Sequence, residues 1–238
     1  MVRPGRGAVM ALLALVVLAS PARAEEARKW SIDVPLYVLF AGMDGQVASH
    51  GHAVNLDVEF SDVMEHLEFG AMGSVRVGYE RWRLTTEIIY MGLGAAKEGA
   101  SADMDQWVVE PRVSYRFPPF FEPFVGVRYN KLSGSIEGPF GKDPIGTQDW
   151  FDPILGTDAT FAATTKLDVI LHADIGGFGA GSDLTWQLFP YVSWQVTGMA
   201  SLLLGYRLLD VDYESDDESG FEYNVLTQGF QLGGTFHF

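Results

Sequence analysis

The sequence predicts an all-β protein, an antiparallel transmembrane β-barrel of about ten strands, with eight as the alternative because bacterial barrels keep even numbers. Apolar and polar residues alternate with a period of two through most of the chain. Hydrophobic residues make up 47% of the 238 residues, yet beyond residue 24 no run approaches the ~20 apolar residues of a transmembrane helix. In lipid, only helices and closed barrels satisfy every backbone group.

The N-terminal segment predicts export. Two arginines near the start precede an apolar run at 8–19 and the small-residue sequence Ala22-Arg23-Ala24. This layout is typical of a secretory signal peptide that is cleaved after Ala24. We therefore expect a signal peptide at 1–24 and one barrel domain at 25–238. The chain contains no Cys, so it offers no acceptor for a lipoprotein-type anchor and forms no disulfide.

The C-terminal segment favours a membrane barrel over a soluble periplasmic domain, the other fold open to an exported chain. Its lipid-compatible residues alternate with small or polar ones and are Leu226, Phe230, Leu232, Phe236 and Phe238. A terminal aromatic on an alternating strand is typical of bacterial outer-membrane barrels. We expect Phe236 and Phe238 to form the signal that the barrel assembly machinery reads, which predicts an outer-membrane location.

Ten strands follow from the alternation, at 30–42, 69–80, 82–93, 104–117, 121–133, 150–163, 166–177, 183–195, 199–213 and 221–238. The first is the weakest because Pro35 interrupts it. On the outward faces, Trp107, Trp186 and Trp194 predict the aromatic girdles of a membrane barrel.

The connections alternate in length. Tight turns, expected on the periplasmic side, are predicted at 80–81, 118–120, 164–165 and 195–198. Longer outer links are predicted at 43–68, 94–103, 134–149, 177–182 and 214–220. The first of them holds a candidate helical turn at 61–67 with Ser61 as N-cap. The glycines at 176–181 predict a flexible hairpin and not a phosphate loop, because no Lys or helix follows.

The inward face carries charges of both signs. The residues expected to form a lumen ion-pair network or a pore lining are Arg76, Glu87, Glu110, Arg112, Arg116, Arg128, Asp168, His172, Asp174 and Arg207, with Asp33 and Arg83 on the same face. A narrow barrel has little continuous water, so these charges are expected to pair. The alternative is a narrow channel or ligand pocket lined by Arg112, Arg116 and Arg128.

The net charge limits the expected partners. It is −15 for the whole chain and becomes −18 without residues 1–24, which hold three Arg and no acidic residue. Nucleic-acid binding requires a basic footprint, so no nucleic-acid partner is expected. Outer-membrane lipids, lipopolysaccharide bridged by divalent cations and the barrel assembly machinery are the expected partners, and the oligomeric state stays open.

An acidic segment near the last outer link is a candidate for Ca²⁺, a hard cation that prefers carboxylate oxygens. Its members are Asp210, Asp212, Glu214, Asp216, Asp217, Glu218 and Glu222. Their spacing matches no recognised calcium loop, and charge runs are usually solvated. Apart from this site, no cofactor is expected.

Catalytic motifs are not recognisable in the sequence, and we expect no enzyme. Candidate side chains for a hydrolase are His50, His52, His66, Asp216 and Asp217 in the predicted loops and His237 in the last strand. The pair His50 and His52 is also a candidate metal site, since neutral imidazole is a common ligand. Solvated loop histidines are the alternative.

Several short segments resemble a family of mostly uncharacterised proteobacterial outer-membrane β-barrels. They are 54–62 with 67–69, Met72-Gly73, 78–82, Ile89-Tyr90-Met91, 174–179 with 182–184, Gly205-Tyr206-Arg207 and 210–213. More distantly, the chain is similar to the small barrels of the outer-membrane protein A and X type. The resemblance implies the fold and the location but no reaction. We therefore expect a structural or surface-interaction barrel acting through acidic outer loops, with a narrow channel as the alternative and a hydrolase as the least favoured function.

Overall fold

The computed structural model describes residues 30–49, 52–58, 70–97, 100–117, 120–138, 141–215 and 220–238. These residues form eleven strands: β1 (Trp30–Ser49), β2 (His52–Val58), β3 (Gly70–Tyr79), β4 (Trp82–Lys97), β5 (Ala100–Tyr115), β6 (Phe121–Gly138), β7 (Gly141–Ala162), β8 (Leu167–Gly177), β9 (Leu184–Gln195), β10 (Ala200–Glu214) and β11 (Glu222–His237). Within these ranges, no helix is long and apolar enough to cross a membrane. The predicted signal peptide and the helical turn at 61–67 lie outside the described residues, so the division at Ala24 stays a prediction.

Ten of the strands close into a ring, which confirms the predicted ten-stranded all-β barrel. β1 pairs with β3, each later strand pairs with the next, and β11 pairs back to β1 over the register from Asp33↔His237 to Ala48↔Glu222. Two backbone hydrogen bonds between Ile32 and Phe238, of 3.3 and 2.9 Å, complete this seam. The antiparallel ring pairs both edges of its sheet, as a strand-built membrane span requires.

Three connections that were predicted as long outer loops are largely strand. β2 pairs with the outer half of β1. β4 and β5, and likewise β6 and β7, stay paired beyond the predicted outer ends of these strands. The residues that end and restart these strands are Ser49 and His52, Lys97 and Ala100, and Gly138 and Gly141. The loop predictions at 43–68, 94–103 and 134–149 are wrong to this extent. Gly- and Asp-rich stretches weaken the alternation pattern, but ladder hydrogen bonds between neighbouring strands still form.

An apolar belt covers the outside of the ring. Its exposed members include Ile32, Leu36, Val75, Leu84, Ile88, Val113, Val125, Leu155, Leu202, Leu204, Phe230 and Leu232. They share the outward parity of their strands, while the inward neighbours are buried. A closed antiparallel ring with such a belt has the architecture of a transmembrane barrel, because this surface needs lipid around it.

Aromatic pairs mark both borders of the belt, as expected for girdles at the two membrane interfaces. The pairs are Trp30–Tyr79 and Trp82–Tyr115 at the tight-turn end and Tyr90–Trp107 and Tyr129–Phe151 toward the long hairpins, with ring centroids 4.6 to 4.9 Å apart. Two of the three tryptophans predicted for the girdles, Trp107 and Trp194, are exposed on the outer surface.

Hydroxyl side chains support two of the tight turns. Thr164 Oγ1 accepts hydrogen bonds from the backbone N–H groups of Lys166 and Leu167 at 3.1 and 3.0 Å. Thr197 Oγ1 accepts one from the N–H of Met199 at 3.2 Å. These contacts replace ladder partners that the turning backbone cannot reach. The two-residue turn Glu80-Arg81 connects β3 to β4, with Glu80 at a φ of 54°.

The close approach of β11 to β1 requires glycine at the seam, and we expect Gly233→Ala to impair closure. A Cβ at Gly233 would lie 2.2 Å from the backbone oxygen of Leu36, so the two strands would have to separate. Overpacking of this kind costs about 1–3 kcal/mol. A smaller fraction of refolded protein should then show the heat-dependent gel mobility of a closed barrel.

The matched control for this variant is Gly234→Ala. Its added Cβ would meet its nearest atom, the backbone oxygen of Ser201, at 3.4 Å, which is ordinary van der Waals contact. Equal folded fractions for the two variants would show that the seam tolerates a side chain at Gly233.

Candidate functional site

Arg128 on β6 is the centre of a buried charge network inside the barrel. Its side chain is 1% exposed, and Nε and Nη2 donate to Glu110 Oε2 at 2.9 and 2.8 Å. Nη2 also donates to Asp174 Oδ1 at 2.9 Å, and Nη1 donates to Thr185 Oγ1 at 3.0 Å. One guanidinium thereby links β5, β8 and β9 across the lumen. Its two carboxylate partners offset the cost of burying its charge.

A second group of charges extends the network toward the seam. Arg112 Nη1 donates to Glu110 Oε1 at 2.8 Å and lies 3.7 Å from Glu87 Oε2. From β10, Arg207 Nη2 donates to Glu87 Oε1 at 2.8 Å. Tyr37 on β1 donates its hydroxyl to the same carboxylate oxygen. Polar contacts therefore run without a break from β1 and β10 through β4 and β5 to β6.

His172 on β8 ends this path on the opposite wall. Its Nδ1 lies 2.7 Å from Asp158 Oδ1, and its Nε2 lies 3.0 Å from Asp174 Oδ2. Ionised carboxylates only accept hydrogen bonds, so both ring nitrogens donate and the imidazole carries a positive charge. The ring stacks on Phe124 with a centroid distance of 5.2 Å. This packing fixes the plane in which the two N–H groups point.

Ion pairs in the network join four cations to four anions. The cations are Arg112, Arg128, Arg207 and His172, and the anions are Glu87, Glu110, Asp158 and Asp174. The faces of Phe124 and Phe189 lie 4.9 Å from the guanidinium carbons of Arg112 and Arg207, which adds cation–π contacts. Buried charge is costly unless it is paired, and here each charged group has a partner of opposite sign.

Three members of the network also have the spacing of metal ligands. Glu110, His172 and Asp174 present ligand atoms within 4.8 Å of one another. However, Arg128 Nη2 lies 2.8 and 2.9 Å from the two carboxylates. A divalent cation would have to displace this guanidinium, so the arrangement is already satisfied by an internal cation.

The structure places the ten charged residues proposed from the sequence at two levels of the lumen. Those in the central network are Glu87, Glu110, Arg112, Arg128, His172, Asp174 and Arg207. Arg76 is half-buried and interacts with Asp158. Arg116 is 38% exposed at the tight-turn mouth and pairs with Glu122 at 3.5 Å. Asp168 is on the inward face near the same mouth.

Four partners in the network were not predicted from the sequence: Tyr37, Asp158, Thr185 and Gln187. Gln187 Nε2 donates to Asp174 Oδ2 at 3.1 Å and so fixes the carboxylate that holds His172. All four share the inward parity of their strands, which is the signal that identifies them. Their pairing across the lumen depends on strand register and closure, which the parity does not give.

Asp152 on β7 holds the outer hairpin between β8 and β9. Its buried carboxylate accepts the Ser182 N–H on Oδ1 at 2.6 Å, and Oδ2 accepts from Trp150 Nε1 and Asn130 Nδ2, both at 3.1 Å. Ser182 Oγ donates to Oδ2 at 3.0 Å. The hairpin predicted to be flexible is therefore tied down by hydrogen bonds. The sequence pattern did not reveal this contact because its partners are 30 residues apart.

Two apolar clusters occupy other parts of the lumen. One contains Met43, Val47, Leu132, Trp150, Leu209, Val211, Phe221, Tyr223 and Val225, and the other contains Tyr37, Leu39, Met72, Ile89, Met91 and Val108. A recess lined by Val47, Leu132 and Phe221 measures about 10 Å³, about the space that one water occupies. The expectation of a polar inward face is wrong at these levels, because a narrow interior is filled by whatever side chains pack there.

Three inward side chains are joined at the tight-turn end of the barrel. His237 Nδ1 lies 2.7 Å from Asp33 Oδ1, and His237 Nε2 lies 2.8 Å from Ser201 Oγ. The carboxylate accepts from Nδ1–H, so in the neutral ring Nε2 accepts from the serine hydroxyl. These two partners of His237 were not predicted from the sequence. All three positions face inward, and the last strand pairs with the first when the barrel closes. These two facts together predict that the three side chains lie near one another.

The candidate calcium segment is described in part. Asp212 accepts a hydrogen bond from Asn224 Nδ2 at 2.8 Å, and Glu214 is the register partner of Glu222. Asp210 is also described and accepts a hydrogen bond from Thr185 Oγ1 on its backbone oxygen at 2.9 Å. The acidic positions Asp216, Asp217 and Glu218 lie outside the described residues, as do His50 and His66 and the side chain of His52. The Ca²⁺ site and the loop metal site stay predictions.

Comparison with solved structures finds outer-membrane barrels of differing roles at low identity. Ail, the attachment invasion locus protein of Yersinia pestis, gives a TM-score of 0.39 at 9% identity, over 88% of this chain and 97% of that one. Neisserial surface protein A gives 0.37 at 12% identity, over 87% and 96%. The outer membrane protease OmpT of Escherichia coli gives 0.49 at 10% identity, over 88% and 96%. No known family and no curated protein matches the chain.

The chain itself has the architecture of an outer-membrane β-barrel. Its strands are antiparallel, ten of them form a closed ring, and consecutive strands are neighbours around that ring. An even strand number, tight turns at one end, longer hairpins at the other and an apolar outer belt are the features of that class.

Loss of the central cation should destabilise the barrel strongly. Arg128→Ala leaves Glu110 and Asp174 buried without their shared partner, and breaking a buried pair in this way costs about 3–5 kcal/mol. Urea unfolding in detergent micelles, followed by tryptophan fluorescence, measures the loss.

The control for Arg128 is Arg116→Ala, which removes a partly exposed pair and should cost less than about 1 kcal/mol. Similar losses for the two arginines would contradict the central role of Arg128.

Release of the outer hairpin should follow from Asp152→Ala, because the Ser182 N–H and Trp150 Nε1 lose their acceptor. Chymotrypsin should then cut more readily after Phe178, whose side chain is exposed at the hairpin tip. The exposed Asp149 on the same strand provides the control variant Asp149→Ala. An unchanged cleavage rate in the Asp152 variant would mean that other contacts hold the hairpin.

Proposed function

We propose that the protein is a non-porin barrel of the outer membrane with a structural or surface-interaction role, exercised through its outer hairpins. The observation that carries the proposal is the charge network centred on Arg128. A porin of this width would need a continuous aqueous path, and barrels of about eight strands have interiors that side chains fill, whereas open channels come with about 16–18 strands.

The network obstructs the lumen because its side chains connect strands that are not neighbours in the ring. Arg207 on β10 contacts Glu87 on β4, four strands away, and Arg128 on β6 contacts Thr185 on β9, three strands away. Conduction would require several buried ion pairs to separate together. Removal of one partner from a buried pair costs about 3–5 kcal/mol, so spontaneous opening is rare.

The outer end of the barrel supports the same proposal. The hairpin anchored by Asp152 and the aromatic pair Trp150 and Tyr213, with ring centroids 4.0 Å apart, occupy this end. Access from outside is therefore narrow as well. Among the described residues, no contact at the outer end favours the second function considered, a narrow channel for a small solute.

The outer hairpins offer the surface for interaction. They carry β2 and the extended ends of β4 to β7, and the strongly acidic chain supplies carboxylates such as Glu214 and Glu222. We propose that these face lipopolysaccharide and its bridging divalent cations, that the belt contacts outer-membrane lipids, and that the barrel assembly machinery inserts the chain. This role does not depend on a chemical reaction.

Single-channel recording on refolded protein tests the proposal. The wild-type barrel should give at most small and infrequent conductance, because the ion pairs block the lumen. The double variant Glu87→Ala with Arg207→Ala removes both partners of one link and leaves no unpaired charge between them. It should conduct more often than wild type.

The control for the recording is Arg81→Ala in the exposed turn between β3 and β4, which should stay as silent as wild type. Steady conductance of porin size in the wild-type barrel would overturn the proposal and favour transport. A bulky side chain at Gly126, on the same strand as Arg128, would not be a clean way to block such conductance. A Cβ there would lie 2.6 Å from the backbone oxygen of Pro111 and would disturb the strands themselves.

A further inference from the structure

We propose that Ser201, His237 and Asp33 form a nucleophilic triad at the tight-turn mouth, in which Ser201 accepts an acyl group from a small carboxylic ester. The site is separate from the Arg128 network and goes beyond the proposed structural role. It consists of one hydroxyl, one imidazole and one carboxylate, each within hydrogen-bond reach of the next.

The two ring nitrogens of His237 are arranged for general-base catalysis. Nδ1 lies 2.7 Å from Asp33 Oδ1, which keeps the ring proton on that side. Nε2 therefore has its lone pair toward Ser201 Oγ, 2.8 Å away. A serine hydroxyl is a weak nucleophile until an adjacent base takes its proton, and the base acts best when a third group orients it.

The barrel seam holds the three groups in place. Asp33 and His237 are register partners of β1 and β11, and the His237 backbone N–H donates at 2.9 Å to the backbone oxygen of Met199, in the turn just before β10. Ser201 lies two residues after Met199, on the inward face of β10. Rigid strands position reacting groups better than loops do, so little ordering is needed when a substrate arrives.

Access to the triad sets the class of substrate. The side chains of His237 and Asp33 are 35% and 19% exposed, so water reaches the base. Ser201 is only 6% exposed, and the next inward residue on β10, Leu203, is buried and apolar. The carbonyl carbon of a thin, uncharged ester can approach this hydroxyl, whereas a bulky or branched acyl group cannot. Esters of short, unbranched carboxylic acids fit this description.

The reaction requires only the ester and water. Ser201 Oγ forms a bond to the ester carbonyl carbon while its proton moves to His237 Nε2. The alkoxide of the ester leaves with that proton as a free alcohol. Water, deprotonated by the same imidazole, then attacks the acyl-serine and releases the carboxylic acid, which restores the serine hydroxyl.

The competing explanation is that these hydrogen bonds only hold β1, β10 and β11 together at the seam; we call this role a latch. Both explanations expect variants of the three residues to affect stability. Only the triad expects Ser201 to react faster than other serines of the same mouth, and only in the folded barrel. Ser193, on the inward face of the adjacent strand β9, is the matched comparison.

The test uses full-length mature protein refolded in detergent, with an alkyl fluorophosphonate and 4-nitrophenyl acetate as probes. Folding of every sample is verified by heat-dependent gel mobility. The wild-type barrel should be labelled at Ser201, located by peptide mass spectrometry, and Ser193→Ala should be labelled equally. Labelling and ester cleavage should fall by at least about tenfold in Ser201→Ala and in His237→Gln, because the nucleophile or its base is gone.

Asp33 is a positioning residue in this proposal, and its test separates orientation from stability. Asp33→Asn should lower the maximal labelling rate without weakening probe binding, and Asp33→Glu should restore part of that rate. A latch alone would not make Ser201 reactive in any of these variants.

Two outcomes would overturn the triad. One is folded wild-type protein that neither probe modifies at Ser201, which leaves the seam contacts as a latch. The other is labelling that persists at full rate in folded Ser201→Ala. Either result leaves the non-porin role untouched, since conductance depends on the network around Arg128.

Discussion

Closure of ten strands into a narrow ring is the constraint on which the rest of the structure depends. The ring pairs every ladder edge, so the outside can be apolar and face lipid, but it also creates an interior with little room for bulk water. Inward side chains therefore have to pack against one another or pair inside the ring. The ion pairs around Arg128 and the apolar clusters at other levels are two solutions to that one requirement.

The polar solution links strands that the backbone ladder does not join. Neighbouring strands are held by hydrogen bonds between main chains, whereas the pairs Arg207–Glu87 and Arg128–Thr185 connect strands that lie four and three places apart around the ring. Such cross-links resist flattening of the ring. They also fill the kind of interior that wider barrels leave to water.

The sequence predicted the ten strands of the ring and most of the strand ends at the tight turns, because period-2 alternation reports which face each residue occupies. It failed where alternation weakens, as in the hairpin that ends at Gly138 and Gly141. It identified inward charges such as Arg128 and His172 by parity. It did not identify which groups pair, and it missed Asp158, since Asp158 and Asp174 meet at His172 only through register and closure. The Asp152 anchor and the contacts of His237 were missed for the same physical reason.

The seam also has a consequence for the order of folding. The side chains of Asp33 and His237 meet although they are 204 residues apart in sequence. Contacts of such long range carry a large loop-closure entropy and form late. The first strand therefore waits, with an unpaired edge, until the last strand has been delivered. Only the completed ring brings Asp33 and His237 into one hydrogen-bonded group.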